Sequence, residues 1–287
     1  MAQARRYLER GHPPKIPILV PPDLNPHRSE DRWTLEGFLS VIRTRGSIDV
    51  PVVDKRDDSR HDEGYFLHPR RMDARGAVER FEGPDAEPIN MININGLIKD
   101  NPVPPCLQDL KDYAVIQRVQ ADNGKLEGGG APLMARDLTD SLRFHLLAHH
   151  NVFHLPHIDR HGVITSVFTD TGNKLWPLWP GQEDDRLKDW AAQMSSSSSS
   201  PSEVPRGPVV ALHLPPGSLL VQPAGTINAP VTRGKTVMTG TMHLQARAVE
   251  ASLRQTVLQV KNPSATNKPM AAEYRPRMRQ IVGPFNE

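Results

Sequence analysis

The chain has 287 residues, 37% of them hydrophobic, with 28 prolines and 20 glycines, which excludes a helical bundle and favours many short strands joined by long loops. Lys and Arg (35) nearly balance Asp and Glu (33), so the net charge of +2 gives no strong field for steering toward nucleic acid or a membrane surface. One cysteine, Cys106, excludes an intrachain disulfide framework and a cysteine-rich zinc module, and it fits a reducing intracellular compartment, cytosolic or nuclear.

The opening MAQARRYLERGHPPK has basic residues but no apolar core of a signal peptide, and no apolar run approaches the ~18 residues of a membrane span. In SEDRWTLEGFLSVIRTRG a helix is expected to begin at Ser29 or Glu30. Trp33, Leu35, Phe38, Leu39 and Ile42 recur at helical spacing, and Gly46 ends it. SIDVPVVDK reads as a strand, RDDSRHDEG as a charged loop, and PINMININGL, with Ile89, Met91, Ile92 and Ile94, as a second strand. CLQDLKDYAVIQRVQ is ambiguous between helix and strand, and NGKLEGGGAP reads as a flexible loop. The densest strand region runs from LTDSLRFHLLAHHN to GNKLWPLWPG. Residues 181–208 interrupt it with a helical segment, EDDRLKDWAAQM, and a serine run at 195–200 that cannot bury apolar area. In residues 209–246, short apolar runs separated by Pro-Pro-Gly, Pro-Ala-Gly and Arg-Gly turns give the pattern of an antiparallel sandwich or barrel. VEASLRQTVLQV reads as a last helix and residues 263–287 as extended. The basic clusters His68–Arg71 and Tyr274–Arg279 read as solvated surface.

Chemistry concentrates in NVFHLPHIDRHGVITSVF. On a strand, residues two apart share a face, so His157 and Asp159 can both point into the mouth of a barrel. An imidazole and a carboxylate at this spacing, joined by a distant histidine, form the facial triad that leaves open positions on Fe(II). Lys174, in GNKLW, is a cation that could face the same cavity and pair with a dicarboxylate cosubstrate.

In this order, H-x-D, G-x-K-x-W and the turn PAGTIN resemble the JmjC domain family, most closely the small fungal JmjC-like proteins. The likeness runs from PINMININGL to VMTGTMHLQA, a little over half the chain. It implies a mainly β fold, a cupin-type double-stranded β-helix (jelly roll) with flanking helices. Residues 86–250 would form the barrel, with the Ser-rich insertion at about 181–208. Residues 1–85 would pack on it, and residues 251–287 would supply a C-terminal helix and tail.

The resemblance also implies the cofactors Fe(II) and 2-oxoglutarate. His157 and Asp159 match the first two metal ligands, and Lys174 matches the lysine that holds the distal carboxylate of 2-oxoglutarate. The third ligand position is Asn228 instead of histidine, a neutral and weaker donor that weakens or abolishes metal binding. His243 and Asn93, with Asn95, fall where the family places polar residues near the cosubstrate. Three residues from His157, His154 has the wrong parity to share its strand face unless Pro156 distorts the strand locally, and His161 falls in a turn. Trp176 and Trp179 read as packing, His149 and His150 as strand-end polar residues, and Cys106 as structural. Two functions follow. One is an oxygenase, hydroxylase or demethylase, acting on a protein or small-molecule substrate. The other is an inactive JmjC-like pseudoenzyme that serves as a binding or scaffold module.

Overall fold

The computed structural model describes residues 1–25, 32–46, 48–54, 70–83, 88–94, 103–115, 143–181, 184–195, 205–266 and 274–282. The chain is mainly β, with antiparallel sheets and flanking helices. Three strands come from the N-terminal part: β1 (Ile18–Val20), β2 (Asp49–Asp54) and β3 (Arg70–Asp73). Then follow β4 (Ile89–Ile94), β5 (Arg143–Ala148), β6 (His157–Ile158), β7 (Ile164–Thr171) and β8 (Lys174–Trp179). The last five are β9 (Val210–Leu214), β10 (Leu219–Gln222), β11 (Ile227–Asn228), β12 (Val231–Thr232) and β13 (Thr236–His243). The larger sheet has the order β1-β10-β7-β13-β5-β4-β2-β3; the smaller runs β12-β8-β11-β6, with β9 paired to β8.

Side-chain alternation makes the two sheets share a core. Phe144 of β5, Val167 of β7 and Met238 and Met242 of β13 meet Trp176 and Leu178 of β8 and Leu214 of β9 in one buried cluster. Each such side chain contributes about 1.5–3 kcal/mol on full burial. At Gly240, between Met238 and Met242, a Cβ would fall on the Phe144 ring, so any larger residue there must push that ring aside.

Helices cover the outer faces. Helices α1 (Ala2–Glu9), α2 (Leu35–Thr44) and α3 (Ala74–Glu82) lie against the larger sheet. On the opposite face of β5 and β13, Leu147 and Val237 pack with Phe38 and Ile42 of α2 and with Val78 and Phe81 of α3. Leu8 of α1 packs with Phe168 of β7, Val221 of β10 and Tyr113. Helix α4 (Asp184–Ser195) covers the smaller sheet, where Leu187 and Trp190 meet Trp179 and Ile227. Helices α5 (Val249–Lys261) and α6 (Tyr274–Val282) follow. Among the described residues, no helix is long and apolar enough to cross a membrane.

Several expectations change. Helix α2 starts at Leu35, because Thr34 caps it by accepting a hydrogen bond from the Gly37 amide at 3.1 Å; Ser29 and Glu30 lie outside the described residues. Helices α1 and α3 are additional elements, and the Asp73 side chain caps α3 by accepting from the Gly76 amide at 2.8 Å. In the ambiguous segment after Cys106, Lys111–Tyr113 is a single 3-10 turn, and residues 116–142 lie outside the described residues. The stretch expected to be extended at 263–287 contains α6, whose Tyr274, Met278 and Ile281 join the core between the sheets. The serine run beyond Ser195 is outside the described residues.

Candidate functional site

The smaller sheet brings the predicted residues together through its register. Asn228 on β11 stands directly opposite His157 on β6, and Thr232 of β12 opposite Lys174 on β8. Along β8, Lys174, Trp176 and Leu178 take the inward positions. The result is a cavity of about 70 Å3 between the sheets, lined by His157, Asp159, Lys174 and Asn228 on one side and by Phe144, Val167 and Met242 on the other.

Hydrogen bonds fix the state of each polar group. His157 Nδ1 lies 2.8 Å from the Leu155 carbonyl, which can only accept, so Nδ1 carries the proton and Nε2 presents its lone pair. Burial lowers the His157 pKa, opposed by the Asp159 carboxylate and the Leu155 carbonyl, so the ring is neutral near pH 7. Its Nε2 is 4.0 Å from Asp159 Oδ1. The other carboxylate oxygen, Oδ2, accepts from Gln222 Nε2 at 3.2 Å, and Gln222 Oε1 accepts from Trp176 Nε1 at 3.2 Å. Asn228 donates its Nδ2 to the His157 carbonyl at 3.3 Å, which leaves its amide oxygen as the atom available to a ligand.

Lys174 is the electrostatic anomaly of the cavity. It is 1% exposed, no hydrogen bond or ion pair from the described residues reaches its Nζ, and Nζ lies 5.8 Å from the centre of the Trp176 ring. Burial alone pulls its pKa from 10.5 to about 8, with no carboxylate offsetting it. A buried charge without a partner is costly, and an anion entering the cavity would relieve that cost.

Other predicted residues divide. His154 does line this cavity: its ring centre is 5.7 Å from that of His157, and its Nε2 is 2.8 Å from Asn90 Nδ2. Strand parity does not govern it, because the backbone from His154 to Pro156 is not strand. His243 is separated from the cavity. Its neighbour Met242 points inward, so His243 faces the outer side of the larger sheet, where its Nε2 meets Thr241 Oγ1 at 2.8 Å. Burial pushes its pKa down to about 4, and it lines a different cavity of about 500 Å3 beside α5. Asn93 is on β4, but its side chain is outside the described residues, as is all of Asn95.

His161 is fully buried, stacked on Tyr274 with ring centres 4.5 Å apart. His149 is buried and donates to the Phe81 carbonyl. Trp179 packs under α4, whereas Trp176 lines the cavity. Cys106 is buried and its thiol is pushed up to about 11, which removes it as a nucleophile. Gln222 is absent from the predicted set. Its signal in the sequence is one amide ending the otherwise apolar strand LLVQ, immediately before PAGTIN.

Among the described residues, no group of three or more His, Cys, Asp and Glu is gathered as a metal site. The donors that share the cavity are one imidazole, one carboxylate and the Asn228 amide oxygen. No protein-family model matches the chain, and no curated protein sequence is significantly similar to it.

Proposed function

We propose that the two sheets are those of a cupin-type double-stranded β-helix, and that the cavity is a JmjC-type site for 2-oxoglutarate with a weakened Fe(II) centre. The observation that carries this reading is Lys174, a buried cation with no counter-ion among the described residues, in the same cavity as His157 and Asp159. Lys174 would bind the distal carboxylate of 2-oxoglutarate, and the apolar walls of Phe144, Val167 and Met242 would exclude water and strengthen that pairing.

The donor set fits a metal ion in part. His157 offers a neutral Nε2 with its tautomer fixed by the Leu155 carbonyl. Asp159 offers Oδ1 with its other oxygen already held, and Asn228 offers a neutral amide oxygen. Fe(II) held there would supply the redox chemistry by which 2-oxoglutarate-dependent oxygenases hydroxylate a C–H bond or remove an N-methyl group. Asn228 favours a second reading, in which the barrel keeps its dicarboxylate cavity but serves as a binding or scaffold module.

Calorimetric titration with Mn(II) and 2-oxoglutarate on wild type, Asn228→His and His157→Ala tests both. The expected result is 2-oxoglutarate binding by wild type, Mn(II) binding at least about 10-fold tighter in Asn228→His, and loss of Mn(II) binding in His157→Ala. Equal, tight Mn(II) binding by wild type and Asn228→His would discard the pseudoenzyme reading. Failure of 2-oxoglutarate to bind, with or without Mn(II), would discard the JmjC reading.

A further inference from the structure

We infer that Gln222 is a positioning residue for Asp159, and that the Trp176 indole dictates the direction in which it works; the inference rests on the metal-site reading above. Strand β10 is buried at every position, and Gln222 is its one polar side chain. An amide buried there without partners would cost about 1–3 kcal/mol for each unpaired group. Gln222 has partners at both ends: Trp176 Nε1 donates to its oxygen at 3.2 Å, while its nitrogen donates to Asp159 Oδ2 at 3.2 Å and to the Thr226 carbonyl at 3.5 Å.

An indole N–H only donates, so the amide oxygen must turn to Trp176 and the NH2 group to Asp159. Flipping the amide would place a donor against a donor and an acceptor against a carboxylate. The indole therefore aims the amide N–H at Asp159 Oδ2, which leaves Oδ1 on the His157 side, 4.0 Å from Nε2. Helix α5 holds the same residue by its backbone: Gln259 Nε2 donates to the Asp159 carbonyl at 2.8 Å, and Gln259 Oε1 accepts from the His161 amide at 2.8 Å. The main chain and one carboxylate oxygen are thus pinned, and the remaining oxygen is the one presented beside the free imidazole nitrogen. Gln222 and Trp176 set the carboxylate's rotamer, so that Asp159 would offer Oδ1 to an ion held beside His157.

The test uses the full chain, with Co(II) alone as probe, in wild type, Gln222→Met, Trp176→Phe and Asp159→Asn. In metal-free protein the Trp176 indole N–H resonance, identified by its loss in Trp176→Phe, should move in Gln222→Met and also in Asp159→Asn, because the carboxylate polarises the amide between them. In Co(II) titrations followed by visible absorption, Gln222→Met should bind about 10–100-fold more weakly with an altered ligand-field band, and Trp176→Phe about 10-fold more weakly or less. Wild-type affinity and spectrum in Gln222→Met would overturn the inference while leaving the metal site standing. If Gln222→Met does not fold, an indole resonance indifferent to Asp159→Asn overturns it instead. Absence of Co(II) binding by wild type and Asn228→His alike would overturn the metal-site reading and this inference with it.

Discussion

Replacing Lys174 with Met keeps the length of the side chain and removes a buried charge that has no counter-ion among the described residues. The pKa of Lys174 is lowered from 10.5 to about 8, so between those values the unfolded chain holds a proton that the folded chain does not, and stability rises with pH. Below about pH 8 the lysine is charged in both states and the full penalty applies. At 1.36 kcal/mol per pH unit, that penalty is about 3 kcal/mol at pH 7 and falls below about 1 kcal/mol at pH 10. Lys174→Met should therefore be more stable than wild type by about 3 kcal/mol at pH 7, raising Tm by roughly 5–10 °C, with most of the gain gone at pH 10. The same variant should lose 2-oxoglutarate binding by calorimetry, and wild-type binding should weaken as pH rises through about 8. Urea denaturation at pH 7 and pH 10 decides the matter. A Lys174→Met protein less stable than wild type at pH 7 would show that the ammonium has a stabilising partner, and the reasoning from an unpaired charge would fail.

Gly240→Ala should destabilise the fold by about 1–3 kcal/mol in urea denaturation and weaken ligand binding, since the added methyl displaces the Phe144 ring from the cavity wall. Arg80 holds Asp54 through two hydrogen bonds of 3.0 and 2.8 Å, with side chains 9% and 1% exposed, so Arg80→Met should cost about 3–5 kcal/mol in the same assay by removing one member of a buried ion pair.

What could be read from sequence was whatever local pattern alone determines. The two-residue spacing of His157 and Asp159 pointed to a shared face, and only the resemblance to the JmjC family joined Lys174 and Asn228 to them; the structure gathers all four around one cavity. The facing of His243 was not legible, because all eight residues of β13 are buried; a strand covered on both sides shows no polar and apolar alternation from which to count parity. His154 lines the cavity for the opposite reason: the segment beside Pro156 is not strand, so the parity that would turn it away does not apply, the distortion that Pro156 left open in the sequence. Helix α6 was hidden by its polar composition and by Pro276, yet proline is tolerated in a first turn, and Tyr274, Met278 and Ile281 sit at the i, i+4, i+7 spacing of a buried stripe. Thr34 shows how a single capping side chain shifts a helix start that hydrophobic spacing leaves open.

The place of β13 between β7 and β5 also governs how the chain must assemble. Both flanking strands are synthesised long before it, and each waits with one open edge until residue 243 is available. β1 likewise waits for β10, and β6 for β11. Nearly every pairing that builds the cavity is thus non-local, so the entropy of closing long loops precedes the reward of strand pairing. Folding of such a topology is slow relative to helical proteins, and during that interval its unpaired edges are open to strands from other chains.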